Sequence, residues 1–165
     1  QYMLRNKRQQ YTVTNIVTLC GSSRLRQDGR LARMVHVLVH MGLLGGRETS
    51  ERIAQMLNTN AVVVRRTMGQ LRRHGIVASE GGRGGGWSLA KPLNELTMLD
   101  VQRALQGETI LEAPLSSDHP SCPVEKATNA RLKAAFQDAE LALTKAFQAT
   151  NLSDIARTAL DEKGG

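Results

Sequence analysis

The stretch that most constrains this 165-residue chain is TSERIAQMLNTNAVVVRRTMGQLRRHGIVASEGGRGGGWSLA, residues 49–90. Thr49 and Ser50 favour the position just before a helix, where a side-chain oxygen accepts an otherwise unpaired backbone N–H. Glu51 suits the positive end of the helix dipole, and Ile53, Ala54 and Leu57 fall on one face of the short helix that follows. Asn58-Thr59-Asn60 makes a turn of cap-type residues. A second helix is expected from about Ala61 to His74, with Val64, Met68 and Leu71 spaced i, i+4, i+7 toward a core. Gly75 ends it, since glycine readily takes the left-handed conformation that closes a helix. Two β-prone runs, IVASE and WSLA, then flank GGRGGG, which predicts a hairpin with a glycine tip.

The rest of the chain fits around this unit. Leu31, Met34, Val35, Leu38, Val39 and Met41 recur at three- and four-residue spacing, giving a helix from about Arg26 to Leu44 that Gly45 and Gly46 stop. A further helix is expected from Thr97 to Gln106, capped by Thr97, favoured at its start by Asp100 and ended by Gly107. Residues 108–123 contain three prolines and read as a loop. An alanine-rich helix follows from Val124 to about Thr150, with Leu132, Ala135, Phe136, Ala139, Leu143, Ala146 and Phe147 as its apolar stripe, and a last short helix starts at Asn151 or Ser153. The expected fold class is mainly α with a small β-hairpin: a winged helix-turn-helix domain over residues 23–107, a loop over 108–123, and a long C-terminal helix with its tail over 124–165. Residues 1–22, which include one β-prone run at Tyr11–Leu19, read as a basic and poorly ordered N-terminal arm.

Such an arrangement suits double-stranded DNA. The major groove, roughly 12 Å wide, admits one α-helix, and the second helix of the pair lies there with its N-terminal residues near base edges. With Val64, Met68 and Leu71 turned inward, Val62, Arg65, Arg66, Gly69, Arg72 and Arg73 fall on the open side. Arginine pairs bidentately with guanine or with phosphate. Asn60, Val62, Arg65 and Arg66 are therefore assigned to bases or adjacent phosphates, with Arg72 on the same face. Thr49 and Ser50 are assigned to phosphate at the start of the shorter helix, and Arg83, amid the glycines of the tip, to a minor groove.

Charge follows the same division. Residues 1–33 hold seven bases and one acid, residues 60–91 six bases and one acid, and residues 92–165 seven bases and eleven acids. An anionic partner is thus expected for the N-terminal half only. Aromatic residues make up 3% of the chain, too few for the stacking platforms of single-strand binders, although a basic arm and a glycine–arginine loop leave an RNA-binding or non-specific nucleic-acid module as the alternative. No enzyme is expected: GxxxxGK[ST] and GxSxG are absent, and GGRGGG does not complete GxGxxG. No segment has the roughly 20 apolar residues of a membrane span. With no secretory leader recognisable and two cysteines that cannot form a disulfide framework, a reducing, cytoplasmic setting is expected.

The segments LRRHGIV, GGGWSLAKP and LTMLDVQRALQG, together with CPVE at residues 122–125 before the long helix, closely resemble the Rrf2 family of bacterial transcription regulators. The resemblance covers roughly residues 24–160. It implies a homodimer, paired through the long helix with Phe136, Leu143 and Phe147 as apolar contacts, that binds a palindromic operator and usually represses. It also makes residues 108–123 the sensor loop. In the better-known branches three cysteines before the long helix hold an iron–sulfur cluster. Here Cys122 stands alone between Gly107 and Val124, so no such cluster, and no other cofactor or metal, is expected. Members often carry Arg-Gly-Pro before the wing glycines; this chain has Gly81-Gly82-Arg83, so a minor-groove arginine has to come from Arg83.

Cys122 precedes a helix N-terminus, which favours a reactive thiolate and makes it the sensor candidate; the alternative is a small buried hydrophobe. His36 and His40 lie four apart on one helix face, but HVLVH lacks the glutamate of HExxH, and a helix-interface role is the expectation.

Overall fold

The computed structural model describes residues 29–82 and 84–162. Within them the elements run α1 Arg30–Leu44, α2 Ser50–Met56, α3 Ala61–Arg73, β1 Val77–Glu80, β2 Gly86–Leu89, α4 Met98–Gln106, α5 Pro123–Ala149 and α6 Leu152–Asp161, with a 3-10 turn at Leu93–Glu95. The two strands form one antiparallel sheet. The N-terminal arm, the expected helix start at Arg26, and Arg83 lie outside the described residues.

The core is assembled where the apolar periodicities meet. Val37 and Leu38 of α1, Ile53 of α2, Val64, Met68 and Leu71 of α3, Ile76 and Val77 at the start of the hairpin, Leu96, Val101 of α4 and Leu152 of α6 are all fully buried. Each such side chain contributes roughly 1.5–3 kcal/mol of hydrophobic stabilisation. The i, i+4, i+7 triad of α3 is thus the set that faces inward, and Val62, Val63 and the four arginines of the same helix face out.

The turn between α2 and α3 is closed by its capping residues. The short helix ends at Met56 with Leu57 as C-cap. Asn58 takes a left-handed conformation, φ 47°, which asparagine tolerates better than other non-glycine residues. Thr59 N–H donates to Ala54 O at 2.9 Å, which pairs one of the last carbonyls of α2. Asn60 Oδ1 then accepts Val62 N–H at 2.7 Å and caps α3.

The hairpin pairs Val77 with Leu89, Ala78 with Ser88, Ser79 with Trp87 and Glu80 with Gly86. A contact the sequence does not advertise widens it. Glu48 and Trp87 exchange both backbone hydrogen bonds at 2.9 Å, so the segment before α2 forms a third, one-residue rung. This approach needs glycine at position 86, where a Cβ would stand 2.9 Å from the Glu48 carbonyl oxygen.

Thr97 and Asp100 close a capping box on α4: Thr97 N–H donates to Asp100 Oδ2 at 2.8 Å and Asp100 N–H to Thr97 Oγ1 at 3.2 Å. Beside it, Met98 N–H donates to Thr150 O and Leu152 N–H to Leu96 O, both at 2.9 Å. These two bonds clamp the end of α5 to the helix-turn-helix domain, and α6 folds back against α1. The long helix α5 has 27 residues, about 40 Å at 1.5 Å per residue, and none is buried. Residues 108–122 run along it, held by Ile110 N–H to Glu140, Ser116 N–H to Asn129 and His119 N–H to Glu125.

Candidate nucleic-acid interface

α2, α3 and the hairpin form one surface. Trp87 supplies the joint: its backbone pairs with Glu48, and its indole N–H donates to Ser50 Oγ at 3.0 Å. The Arg47 guanidinium reaches Glu80 across the same seam at 2.5 Å, and Arg52 Nε binds Glu48 Oε2 at 3.0 Å. A shallow cleft of about 260 Å³ between α2, α3 and the hairpin is lined by Thr49, Glu51, Arg65, Ser79 and Glu80 among others.

On this surface the arginines of α3 divide into two kinds. Arg65 Nη2 donates to Glu51 Oε1 at 2.5 Å, and Arg72 Nη1 to Ser79 Oγ at 2.8 Å. Arg66 and Arg73 are exposed and make no hydrogen bond or ion pair among the described residues. All four point away from the core that Val64, Met68 and Leu71 enter. The first turn of α3 also exposes Val62 (65%) and Val63 (53%), apolar surface of the kind that contacts a thymine methyl. Both belong to the N-terminal residues of the helix, which the sequence places near base edges; three consecutive valines cannot all face one helix stripe, and Val64 takes the core position.

Three expected contact residues have structural duties that alter their reading. Ser50 is buried, and its hydroxyl oxygen serves Trp87 as acceptor, so its side chain belongs to the joint rather than to an open phosphate site. Asn60 spends Oδ1 on the cap of α3, which leaves its amide N–H groups to face outward. Thr49 Oγ1 likewise accepts Arg52 N–H at 3.2 Å, while its own O–H stays exposed.

Farther away, Cys122 is half-buried at the N-cap of α5, its N–H donating to His119 O at 2.8 Å. Phe136, Leu143 and Phe147 are half-buried on α5, and Phe136 lines a groove with Leu111 and Leu115 of the preceding loop. His36 and His40 pack edge to face, ring centroids 4.7 Å apart, beside an apolar groove between α1 and α6. Among the described residues no group of three or more His, Cys, Asp or Glu converges to hold a metal, and Cys122 is the one thiol there. That donor set does not fit an iron–sulfur cluster. No helix among the described residues is long and apolar enough to cross a membrane.

A capped helix pair, an arginine face and a hairpin locked to the first helix define a winged helix-turn-helix DNA-binding domain. The family model Rrf2, described as an iron-dependent transcriptional regulator, matches residues 28–158. The chain belongs to the Rrf2 family of transcriptional regulators. It is 33% identical over 128 residues to YwnA of Bacillus subtilis (strain 168), provisionally named an HTH-type transcriptional regulator; the match covers 78% of this chain and 95% of YwnA. A solved structure described provisionally as a DNA-binding protein is 31% identical, with TM-score 0.62, and the match covers 76% of this chain and 97% of that one. CymR, titled the global cysteine regulator of B. subtilis, is 21% identical with TM-score 0.54; that match covers 82% of this chain and 97% of CymR and shows a shared fold.

Proposed function

We propose that this chain is a homodimeric repressor that places the α3 helices of its two protomers in successive major grooves of a palindromic operator. The observation that carries this reading is the exposure of Arg65, Arg66, Arg72 and Arg73 on α3, opposite a fully buried stripe. Two half-sites about one helical turn apart match the two-fold symmetry of such a dimer. Val62 meets base edges with Arg65 and Arg66, the Asn60 amide adds a donor, and the Thr49 hydroxyl and Arg72 hold phosphate. Arg83 on the wing reaches the minor groove.

Pairing runs through α5. The 27-residue helix has no fully buried residue, so its own chain covers its apolar stripe only in part, and a second copy supplies the missing cover. Leu143 and Phe147 join Phe136 in that contact. The clamp at Leu96, Met98, Thr150 and Leu152 ties α5 to the reading domain, so a change of the dimer angle alters the spacing of the two recognition helices. Cys122, at the start of α5, is the position from which a thiol-directed signal acts on that angle, without an iron–sulfur cluster.

Sequencing the DNA bound to the protein in cells identifies the operator. Fluorescence anisotropy then compares that duplex with a scrambled duplex and a single-stranded RNA across salt, and sedimentation measures the stoichiometry. A protein dimer on the inverted repeat, retained at moderate salt, supports the reading. Equal affinity for all three nucleic acids, or a monomer on a single half-site, overturns it.

A further inference from the structure

Arg65 and Arg66 are neighbours in sequence and differ in state. Arg66 is free of partners among the described residues, whereas Arg65 is bound to Glu51 at 2.5 Å. Glu51 stands in the first turn of α2 and Arg65 in the second turn of α3, so the pair spans the helix-turn-helix. Both line the cleft between the helices and the hairpin. Arg65 is the one base among the described residues lining that cleft, and of its two carboxylates Glu80 is already matched to Arg47.

An exposed pair of this kind contributes little to stability, because solvent screens it and two long side chains lose freedom. Its effect falls on recognition. A carboxylate beside the DNA repels phosphate, and it restrains a guanidinium that would otherwise follow any nearby phosphate. Arginine also offers more N–H groups than one carboxylate oxygen consumes, so a held fork can still reach a base edge or phosphate lying in the right direction.

We propose that Glu51 is a specificity-determining positioning residue: it holds Arg65 in one orientation on the DNA-facing side of α3 and withholds it from non-specific phosphate binding. This rests on α3 being the helix that enters the groove. On a random duplex Arg65 stays with Glu51 and releases no counterion. On the operator an acceptor in line with the held fork takes its remaining N–H groups. Without Glu51, Arg65 seeks phosphate in any register.

The test uses the full chain as wild type, Glu51→Gln, Arg65→Ala and the double variant, with the operator recovered from cells and a scrambled duplex of equal length. Glu51→Gln is expected to lower the operator-to-scrambled affinity ratio about tenfold, in the range one arginine–base contact discriminates. Its salt slope on scrambled duplex steepens by about 1 per protomer, the signature of one more phosphate contact. In the double variant, scrambled-duplex affinity returns to that of Arg65→Ala. If Arg65→Ala weakens operator binding but Glu51→Gln leaves ratio and slope unchanged, this inference fails and the reading of α3 stands. If Arg65→Ala and Arg66→Ala both leave operator affinity unchanged, the reading of α3 fails and this inference with it. A uniform loss on both duplexes with a lowered unfolding temperature assigns Glu51 a structural role and also overturns it.

Discussion

The indole N–H of Trp87 donates to the Ser50 hydroxyl at 3.0 Å across 37 residues of sequence, joining the middle of β2 to the first residue of α2. Ser50 is buried, so this bond occupies a hydroxyl that solvent scarcely reaches. With the Glu48–Trp87 rung it makes wing and helix pair a single body, so that the wing's position relative to α3 is set before DNA arrives.

Replacing Trp87 by Phe keeps most of the ring's packing and removes the donor. The cost is the unmet hydrogen bond of a buried hydroxyl, about 1–3 kcal/mol. Urea unfolding followed by circular dichroism is the measurement, since Trp87 is the chain's one tryptophan and its fluorescence is lost. Operator affinity falls beyond what the stability change explains, because the wing is no longer held. A variant with wild-type stability and affinity would show that the joint is ornamental.

Arg66 and Met68 lie two residues apart on α3 and serve opposite purposes. Met68 is fully buried, and Met68→Ala is expected to destabilise the fold by about 2–5 kcal/mol. Arg66→Ala is expected to leave the unfolding transition within about 0.5 kcal/mol, as surface substitutions usually do. On operator duplex it lowers the salt slope by about 1 per protomer if its contact is phosphate. Thermal unfolding and anisotropy on the same preparations separate the two effects. Arg83→Ala belongs in the same series and is expected to weaken operator binding without unfolding the protein.

The periodic part of the fold was legible. Val64, Met68 and Leu71 were assigned inward from their spacing, and they are buried because a helix repeating every 3.6 residues puts them on one stripe. The cap at Thr97 and the stop at Gly107 were equally plain, being local chemistry. Long-range pairings were not legible. Nothing in the residue types says that Glu48 meets Trp87, or that Ser50, a good cap by type, is drawn under an indole 37 residues away. Arginine types likewise pointed to a candidate face but did not separate Arg65, which Glu51 holds, from Arg66, which has no partner among the described residues.

Thr97→Ala tests the clamp between the reading domain and α5. It removes the Oγ1 acceptor for Asp100 N–H and half of the capping box, at a cost of about 1 kcal/mol. The adjacent bonds Met98 N–H to Thr150 O and Leu152 N–H to Leu96 O depend on the same backbone. Hydrogen exchange at Met98 and Leu152 is therefore expected to speed up more than exchange in α3. Uniform acceleration throughout the domain would mean that Thr97 acts on global stability alone.

Cys122 is the remaining test of regulation. It stands at the N-cap of α5 without a side-chain capping bond, followed by Pro123 at the first helical position. Its thiol is half-buried, reachable by a small oxidant or electrophile yet next to residues that orient the loop, since His119 N–H is held by Glu125. Oxidation or alkylation adds bulk where that loop meets the helix. The expected result is a severalfold loss of operator affinity after mild oxidant, with a mass increase on the peptide containing Cys122, restored by a thiol reductant if the product is a sulfenic acid or disulfide. Cys122→Ser keeps size and hydrogen bonding, so it is expected to bind operator as the untreated protein does and to lose the response. Should Cys122→Ser lose affinity under oxidant to the same degree as wild type, the signal enters elsewhere and Cys122 is a packing residue of the loop.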